Sequence, residues 1–193
     1  MADSTETLKQ LVFAVSPLED AAWGALATAW TDISFRRKQL ITRAGDTEKY
    51  LYVVLEGVQR AFYQDEKHEA TLVFSYAPSF SGIIDSFFLQ EPSRYYLETL
   101  TASRLLRIHY NDLSALIVQY RSIESWVRIA ITQTLAGTLK RQIEVMSFSA
   151  EEKFTTLLKR SPHVLNLIPH KYLASYIGVD PATFSKLLSS VRV

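Results

Sequence analysis

His170-Lys171-Tyr172-Leu173-Ala174-Ser175-Tyr176-Ile177-Gly178-Val179-Asp180-Pro181-Ala182-Thr183-Phe184-Ser185-Lys186-Leu187, near the end of this 193-residue chain, decides how the C-terminal third folds. Ala174 is small where one helix must cross closely over another. Gly178 permits the positive φ that ends a helix and turns the chain within three residues. Asp180 is a strong N-cap, and Pro181 suits the first helical position behind it. Leu173, Ile177, Val179, Phe184 and Leu187 supply apolar positions in the register that would pack two short helices together. The pattern predicts helices over Pro169–Ile177 and Pro181–Val191 joined by Gly178-Val179-Asp180, a helix-turn-helix.

In that geometry the second helix enters the major groove of double-stranded DNA with its N-terminal residues toward the bases. The candidates for that contact are Thr183, Ser185, Lys186 and Ser189. His170 and Lys171, at the start of the first helix, are candidates for backbone phosphate. Lys186 is the one long cation in the second helix, and no arginine precedes Arg192. Guanine readout favours arginine's planar fork, so the pattern speaks more for backbone contact than for base specificity. From Ser147 onward six basic residues stand against three acids, a net +3 in a chain whose total is +1. A basic tail on an acidic body fits an anionic partner for the tail.

Working back from the motif, Ser149-Ala150-Glu151-Glu152 is a capping box, so a helix starts at Ala150 and runs to about Arg160, where Ser161-Pro162 breaks it. Before it, Ile123, Val127, Ala130, Ile131, Leu135, Leu139 and Ile143 recur at spacings of three and four. That helix is longer than a small domain needs for its own core, and a lone Gly137 costs it only ~1 kcal/mol relative to Ala. An apolar stripe of this length predicts a partner helix, hence a homodimer built on Ile123, Val127, Ala130, Ile131, Leu135 and Leu139. From about Ile33 to His109, short runs rich in Ile, Val, Tyr, Phe and Thr alternate with turn residues, as in Leu51–Leu55, Val58–Tyr63, Ala70–Tyr76, Tyr95–Leu100 and Arg104–Ile108. Strands at such spacing predict a sandwich or barrel. The chain opens as helix, and Ser16-Pro17-Leu18-Glu19 predicts a second helix capped by Ser16.

Composition narrows the chemistry. Hydrophobic residues are 48% and charged residues 21% of the chain, enough apolar surface for a buried core. No apolar run reaches the ~20 residues of a membrane span. The N-terminus lacks the basic and apolar regions of a signal peptide, so a cytoplasmic location is expected. The absence of cysteine removes disulfides, thiolate metal sites and iron–sulfur clusters. His68 and His109 read as a turn residue and a strand-end residue rather than as haem ligands, and no metal or cofactor is expected. No phosphate loop, His-Glu-x-x-His or nucleophile elbow occurs, and Glu151-Glu152 suits a helix's first turn better than acid–base work. The chain does not read as an enzyme.

A β-roll, a long helix, a capped helix and a helix-turn-helix, in that order, resemble the family of the cyclic-AMP receptor protein and the fumarate–nitrate regulator. The resemblance covers nearly the whole chain. It rests on Ala44-Gly45-Asp46 followed by Leu51-Tyr52-Val53-Val54-Leu55-Glu56-Gly57-Val58-Gln59-Arg60, and on Phe80-Ser81-Gly82, where the family's ligand cassette begins. It implies an α+β fold: an N-terminal double-stranded β-helix (a jelly-roll like that of cyclic-nucleotide-binding domains), joined by a long helix to a C-terminal helix-turn-helix. The implied divisions are an effector-sensing domain over 1–121 with its N-terminal helices, a dimerisation helix over 122–146 and a DNA-binding domain over 147–193. The implied effector pocket comprises Gly82, Ile83, Ile84, Asp85, Ser93 and Arg94, with Thr138 near where the family reaches a bound base.

Departures from the family pattern narrow the expectation. Cyclic-AMP-binding members have a Gly-Glu pair whose carboxylate holds the ribose, and further on an Arg-Ser pair whose arginine holds the phosphate. Here Ile83 follows Gly82, and Ser93 takes the arginine's place with Arg94 one residue on, which on a strand points to the opposite face. An unknown small effector other than cyclic AMP is therefore expected. The sequence reaches Val193 without a stretch for the β wing that follows the recognition helix in many members, which predicts fewer phosphate contacts. An alternative stays open: an interaction module of the same fold that no longer reads DNA, or a constitutive form whose pocket is filled by side chains.

Overall fold

A computed structural model of the chain describes residues 2–190. Two helices, α1 (Ala2–Val15) and α2 (Asp20–Thr28), precede β1 (Thr31–Phe35), β2 (Leu40–Thr42), β3 (Tyr50–Glu56), β4 (Val58–Gln64), β5 (Glu69–Tyr76) and β6 (Ser79–Ser81). A short α3 (Ile84–Leu89) leads into β7 (Tyr96–Thr99) and β8 (Ser103–His109). Helices complete the chain: α4 (Tyr110–Gln119), α5 (Arg121–Ser147), α6 (Ala150–Arg160), α7 (Val164–Leu167), α8 (His170–Ile177) and α9 (Pro181–Ser190). The expected end of the last helix at Val191, and Arg192, lie outside the described residues.

The strands form two four-stranded sheets, ordered β1-β8-β3-β6 and β2-β7-β4-β5. Between them lies an apolar interior of Tyr52, Val54, Ala61, Ile83, Leu97 and Leu105. Strand alternation sends the neighbouring side chains of the first sheet the other way. Leu51, Val53, Leu106 and Ile108 pack against Leu8 and Val12 of α1, Ala22 and Leu26 of α2, and Ile123 and Trp126 of α5. This is why Leu51–Leu55 reads as an unbroken apolar run: β3 is covered on both faces for most of its length. The Trp126 indole donates to the Val12 carbonyl at 3.1 Å and fixes the start of α5.

The chain passes from the first sheet to the second at Gly57. Its φ is +91°, and a Cβ built there would sit 2.5 Å from the Ala102 carbonyl oxygen and 2.8 Å from the Ser103 Cα. Both the conformation and the space demand glycine.

Helix α2 corrects one expectation. It begins at Asp20, and Ser16 does not cap it. The Ser16 N–H instead donates to the Val12 carbonyl at 3.2 Å, so this serine closes α1. Leu18 is pulled into the core at 7% exposure, and that burial governs the path of the connection.

By contact density the chain divides into two units, one of residues 1–61 and 74–133, the other of 62–73 and 134–193. In the second unit, Ser149 and Glu152 form a complete capping box at the start of α6. Phe154, Leu157 and Leu158 of α6 share a buried apolar centre with Leu173, Ala174 and Ile177 of α8 and with Phe184 and Leu187 of α9. The Phe154 and Phe184 rings meet edge-on at 5.4 Å. Gly178 takes the left-handed conformation at φ 70°, and its N–H bonds back to the last turn of α8. Asp180 then caps α9, accepting from the Thr183 N–H at 2.9 Å and from its hydroxyl at 2.6 Å. The two bonds from Thr183 hold the Asp180 carboxyl below the usual aspartate range. The buried Glu144 fastens the far part of α5, accepting from Arg141 at 3.3 Å and Arg160 at 3.1 Å. Arg141 also stacks on the Tyr176 ring at 4.1 Å and donates to the Tyr176 carbonyl.

Two outcomes follow. Gly57→Ala should destabilise the chain by at least ~2 kcal/mol, since the positive φ alone costs ~1–2 kcal/mol in an L-residue and the backbone clash adds to it; thermal or denaturant unfolding reads this out. Asp180→Ala should lower the melting temperature while Asp180→Asn nearly preserves it, because asparagine caps equally well. With its folded pKa depressed, the carboxylate's contribution is complete above the ordinary aspartate pKa of ~3.9. It is lost as pH falls through the folded value, so the gap between wild type and Asp180→Ala should close in acid.

Candidate functional site

The residues expected to form an effector pocket are distributed over several environments. Gly82 has φ +135°, and a Cβ there would lie 3.4 Å from the Tyr50 carbonyl oxygen and 3.7 Å from the Tyr52 ring. Ile83 is 3% exposed and belongs to the interior between the sheets. Ile84 and Phe87 belong instead to the core beneath the helices. Asp85 and Arg94 are exposed. Ser93 is buried, and its hydroxyl donates to the Tyr95 carbonyl at 2.8 Å and accepts from the Tyr95 N–H at 2.9 Å. Its backbone pairs with Gly45 and Asp46 at 2.8 and 2.9 Å. Ser93 therefore works as a staple of its own turn. Thr138 falls in the second unit, exposed, with its hydroxyl donating to the Thr134 carbonyl at 2.9 Å.

The first unit does hold a cleft of about 590 Å³, walled by β1, β2, β3, β8 and the turn at 45–49. None of Gly82, Ile83, Ile84, Asp85, Ser93 or Arg94 lines it. Its apolar side includes Ile33 and Phe35, and its polar side Glu48, Tyr50, Tyr52 and Arg107. Glu48 is 3% exposed. Its carboxylate accepts from the Thr42 hydroxyl at 2.5 Å and the Tyr50 N–H at 3.1 Å. Its own N–H donates to Ser86 Oγ at 3.0 Å, so one residue ties β2, β3 and α3 together. Burial pushes the Glu48 carboxyl up, against the opposing pull of those hydrogen bonds. Burial also pushes the Tyr52 hydroxyl up, with the neighbouring Glu48 adding to it. The Arg107 guanidinium stands 4.4 Å over the Tyr50 ring. Its Nε is closed off from solvent without a hydrogen-bond partner among the described residues. Sequence reasoning did not select Glu48, Tyr50 or Arg107. They come from a turn and two strands, and only the roll brings them together.

The candidate DNA-contacting residues lie on α8 and α9. Ser185, Lys186 and Ser189 of α9 are exposed, whereas Phe184 and Leu187 beside them are buried. Thr183 is half-buried and its hydroxyl is engaged by Asp180. The Ser185 hydroxyl donates to the Pro181 carbonyl at 2.9 Å, and that of Ser189 to the Lys186 carbonyl at 2.8 Å. His170 and Lys171 are exposed at the start of α8, the imidazole 5.6 Å from the Phe184 ring and the Lys171 ammonium 4.6 Å over the Tyr172 ring.

The candidate dimerisation residues divide along α5. Ile123 and Val127 are buried in the first unit's own core. Ala130 is half-buried, and Ile131, Leu135, Leu139 and Ile143 are 39%, 57%, 52% and 59% exposed. In that second stretch the side chains of Leu135, Leu139 and Ile143 are thus more than half exposed. Among the described residues there is no group of His, Cys, Asp or Glu able to hold a metal ion, and no helix long and apolar enough to cross a membrane.

Known proteins resemble this chain in both sequence and fold. Residues 32–120 match the model of the cyclic nucleotide-binding domain family. No curated protein matches the sequence. Among solved structures, FixK2 from Bradyrhizobium japonicum is similar at 15% identity and a TM-score of 0.71, covering 83% of each chain. A protein described as a transcriptional regulator of the Crp/Fnr family from Eubacterium rectale is similar at 14% identity and a TM-score of 0.69, over 89% of this chain and 82% of that one. The Thermus thermophilus catabolite activator protein is similar at 18% identity and a TM-score of 0.57, over 93% of this chain and 85% of that one. At such identities the likeness is one of fold, and it extends through the helices that follow the roll. Residues 32–120 thus resemble the cyclic nucleotide-binding domain family in sequence, and the chain shares its fold with FixK2 and with the Eubacterium rectale protein described as a Crp/Fnr-family regulator.

Proposed function

We propose that the chain is a DNA-binding transcription regulator that acts as a homodimer and answers a small effector other than cyclic AMP. The observation that carries this reading is the pair α8 and α9. Their apolar sides are buried together with α6, the turn between them is made by Gly178 and capped by Asp180, and α9 leaves Ser185, Lys186 and Ser189 to solvent. That arrangement supports a helix-turn-helix, a motif whose second helix enters the major groove. The fold shared with a catabolite activator protein and a Crp/Fnr-family regulator supports the same class.

The exposed stripe Ile131, Leu135, Leu139 and Ile143 supports pairing through α5, since isolated apolar faces of this kind mark interaction surfaces. Ile83, buried where a ribose-binding glutamate would stand, and Ser93, committed to its own turn, speak against cyclic AMP. With the hydroxyls of Thr183, Ser185 and Ser189 already donated within the protein, phosphate contact by Lys186, Lys171 and His170 carries more of the affinity than direct base readout.

Selection from a pool of random duplexes, at two salt concentrations, tests this. The expected product is a two-fold site with half-sites about one helical turn, ~34 Å, apart. Its binding should weaken steeply with salt, and Lys186→Ala should weaken it further while flattening the salt dependence. Failure to enrich any sequence at either salt, or retention that ignores salt, would favour the interaction module over the regulator.

A further inference from the structure

The 590 Å³ cleft of the first unit has a chemistry of its own, separate from the Gly82 and Ser93 positions. Its volume falls within the range of small-molecule sites, ~300–1,000 Å³. Arg107 is held by its stack on Tyr50, which orients the planar guanidinium without using its N–H donors. No ion pair to Arg107 occurs among the described residues, and its Nε is buried without a partner. Ile33, Phe35 and Ile41 line the same cleft and give it an apolar wall.

We propose that this cleft binds a small organic anion with a planar apolar body, its anionic group held by Arg107 and its body against Ile33 and Phe35. Arginine's fork matches two oxygens of a carboxylate or phosphate, and that shared acceptor geometry defines the ligand class. Glu48 lines the same cleft, yet its carboxyl is already occupied by Thr42 and Tyr50, and burial favours its neutral form, so it does not oppose an anion as a free carboxylate would. This deepens the effector part of the reading above, but it concerns binding to the protein alone.

The test is therefore made without DNA, so that its failure and a failure of DNA binding are told apart. Full-length protein is titrated calorimetrically with benzoate, indole-3-acetate, phenyl phosphate and, for comparison, cyclic AMP. Binding of an aromatic carboxylate but not phenyl phosphate would assign a carboxylate, the reverse a phosphate ester, and either supports the proposal. Arg107→Gln should weaken that binding at least tenfold and Arg107→Lys should restore only part of it. Ile33→Trp, which fills the apolar side while leaving Arg107 in place, should also abolish binding, which keeps the test usable if an Arg107 variant folds poorly. No binding by any of the three aromatic anions, or equal binding by wild type and a folded Arg107→Gln, would overturn it.

Discussion

The constraint on which the rest depends is the bare middle of α5. Every residue of the ten from Ile131 to Lys140 is exposed, although the helix continues unbroken from Arg121 to Ser147. An isolated helix of this length is marginal in water, and most helical stability comes from packing of an apolar face. Each end has its own anchor. Ile123, Trp126 and Val127 sit in the first unit's core, and Glu144, gripped by Arg141 and Arg160, holds the other end in the second unit. Between the anchors, the apolar side chains of Ile131, Leu135, Leu139 and Ile143 are 39–59% exposed in a single copy. In the proposed homodimer, a second copy of the same helix would cover that face and would supply the two-fold symmetry that a paired DNA site needs.

The β-roll shows how one sheet serves two interiors. Alternation along β3 and β8 sends Tyr52, Val54 and Leu105 inward and Leu51, Val53, Leu106 and Ile108 outward beneath the helices. The apolar side chains of the cassette divide between the same two cores, with Ile83 going inward and Ile84 and Phe87 outward. Two of the charged groups that enter this roll are fastened. Arg60 is paired with Glu98 at 2.5 Å, and Glu48 is held by Thr42 and Tyr50. Arg107 Nε, like Gln59 Oε1 and the Ser79 and Ser81 hydroxyls, has no hydrogen-bond partner among the described residues, and of these only Arg107 lines the cleft.

Much of the fold could be read from residue patterns because its signals are local. Ser149 and Glu152 cap α6 through bonds three residues apart, Gly178 and Asp180 act within one turn, and the short β runs stand where the strands form. The same logic failed at Ser16, where a cap-like tetrapeptide yielded to the closing bond of α1 and the burial of Leu18. Long-range facts were harder to see. The stripe from Ile123 to Leu139 looks uniform in sequence, yet its first two members belong to the chain's own core. Ile83, Ile84 and Phe87 are equally apolar on paper and diverge only through the path of the backbone. The Glu48 and Arg107 cleft had no sequence signal, because its residues lie far apart along the chain and meet through strand pairing.

The most direct test of the account is the mass of the protein in solution, followed by sedimentation over a range of concentrations. With a chain of 22.0 kDa, the account predicts a species of twice that mass that reverts to monomer when Leu135 and Leu139 are both replaced by lysine. A wild-type chain that stays monomeric at every concentration would contradict it, since the exposed face of α5 would then have no partner of its own kind.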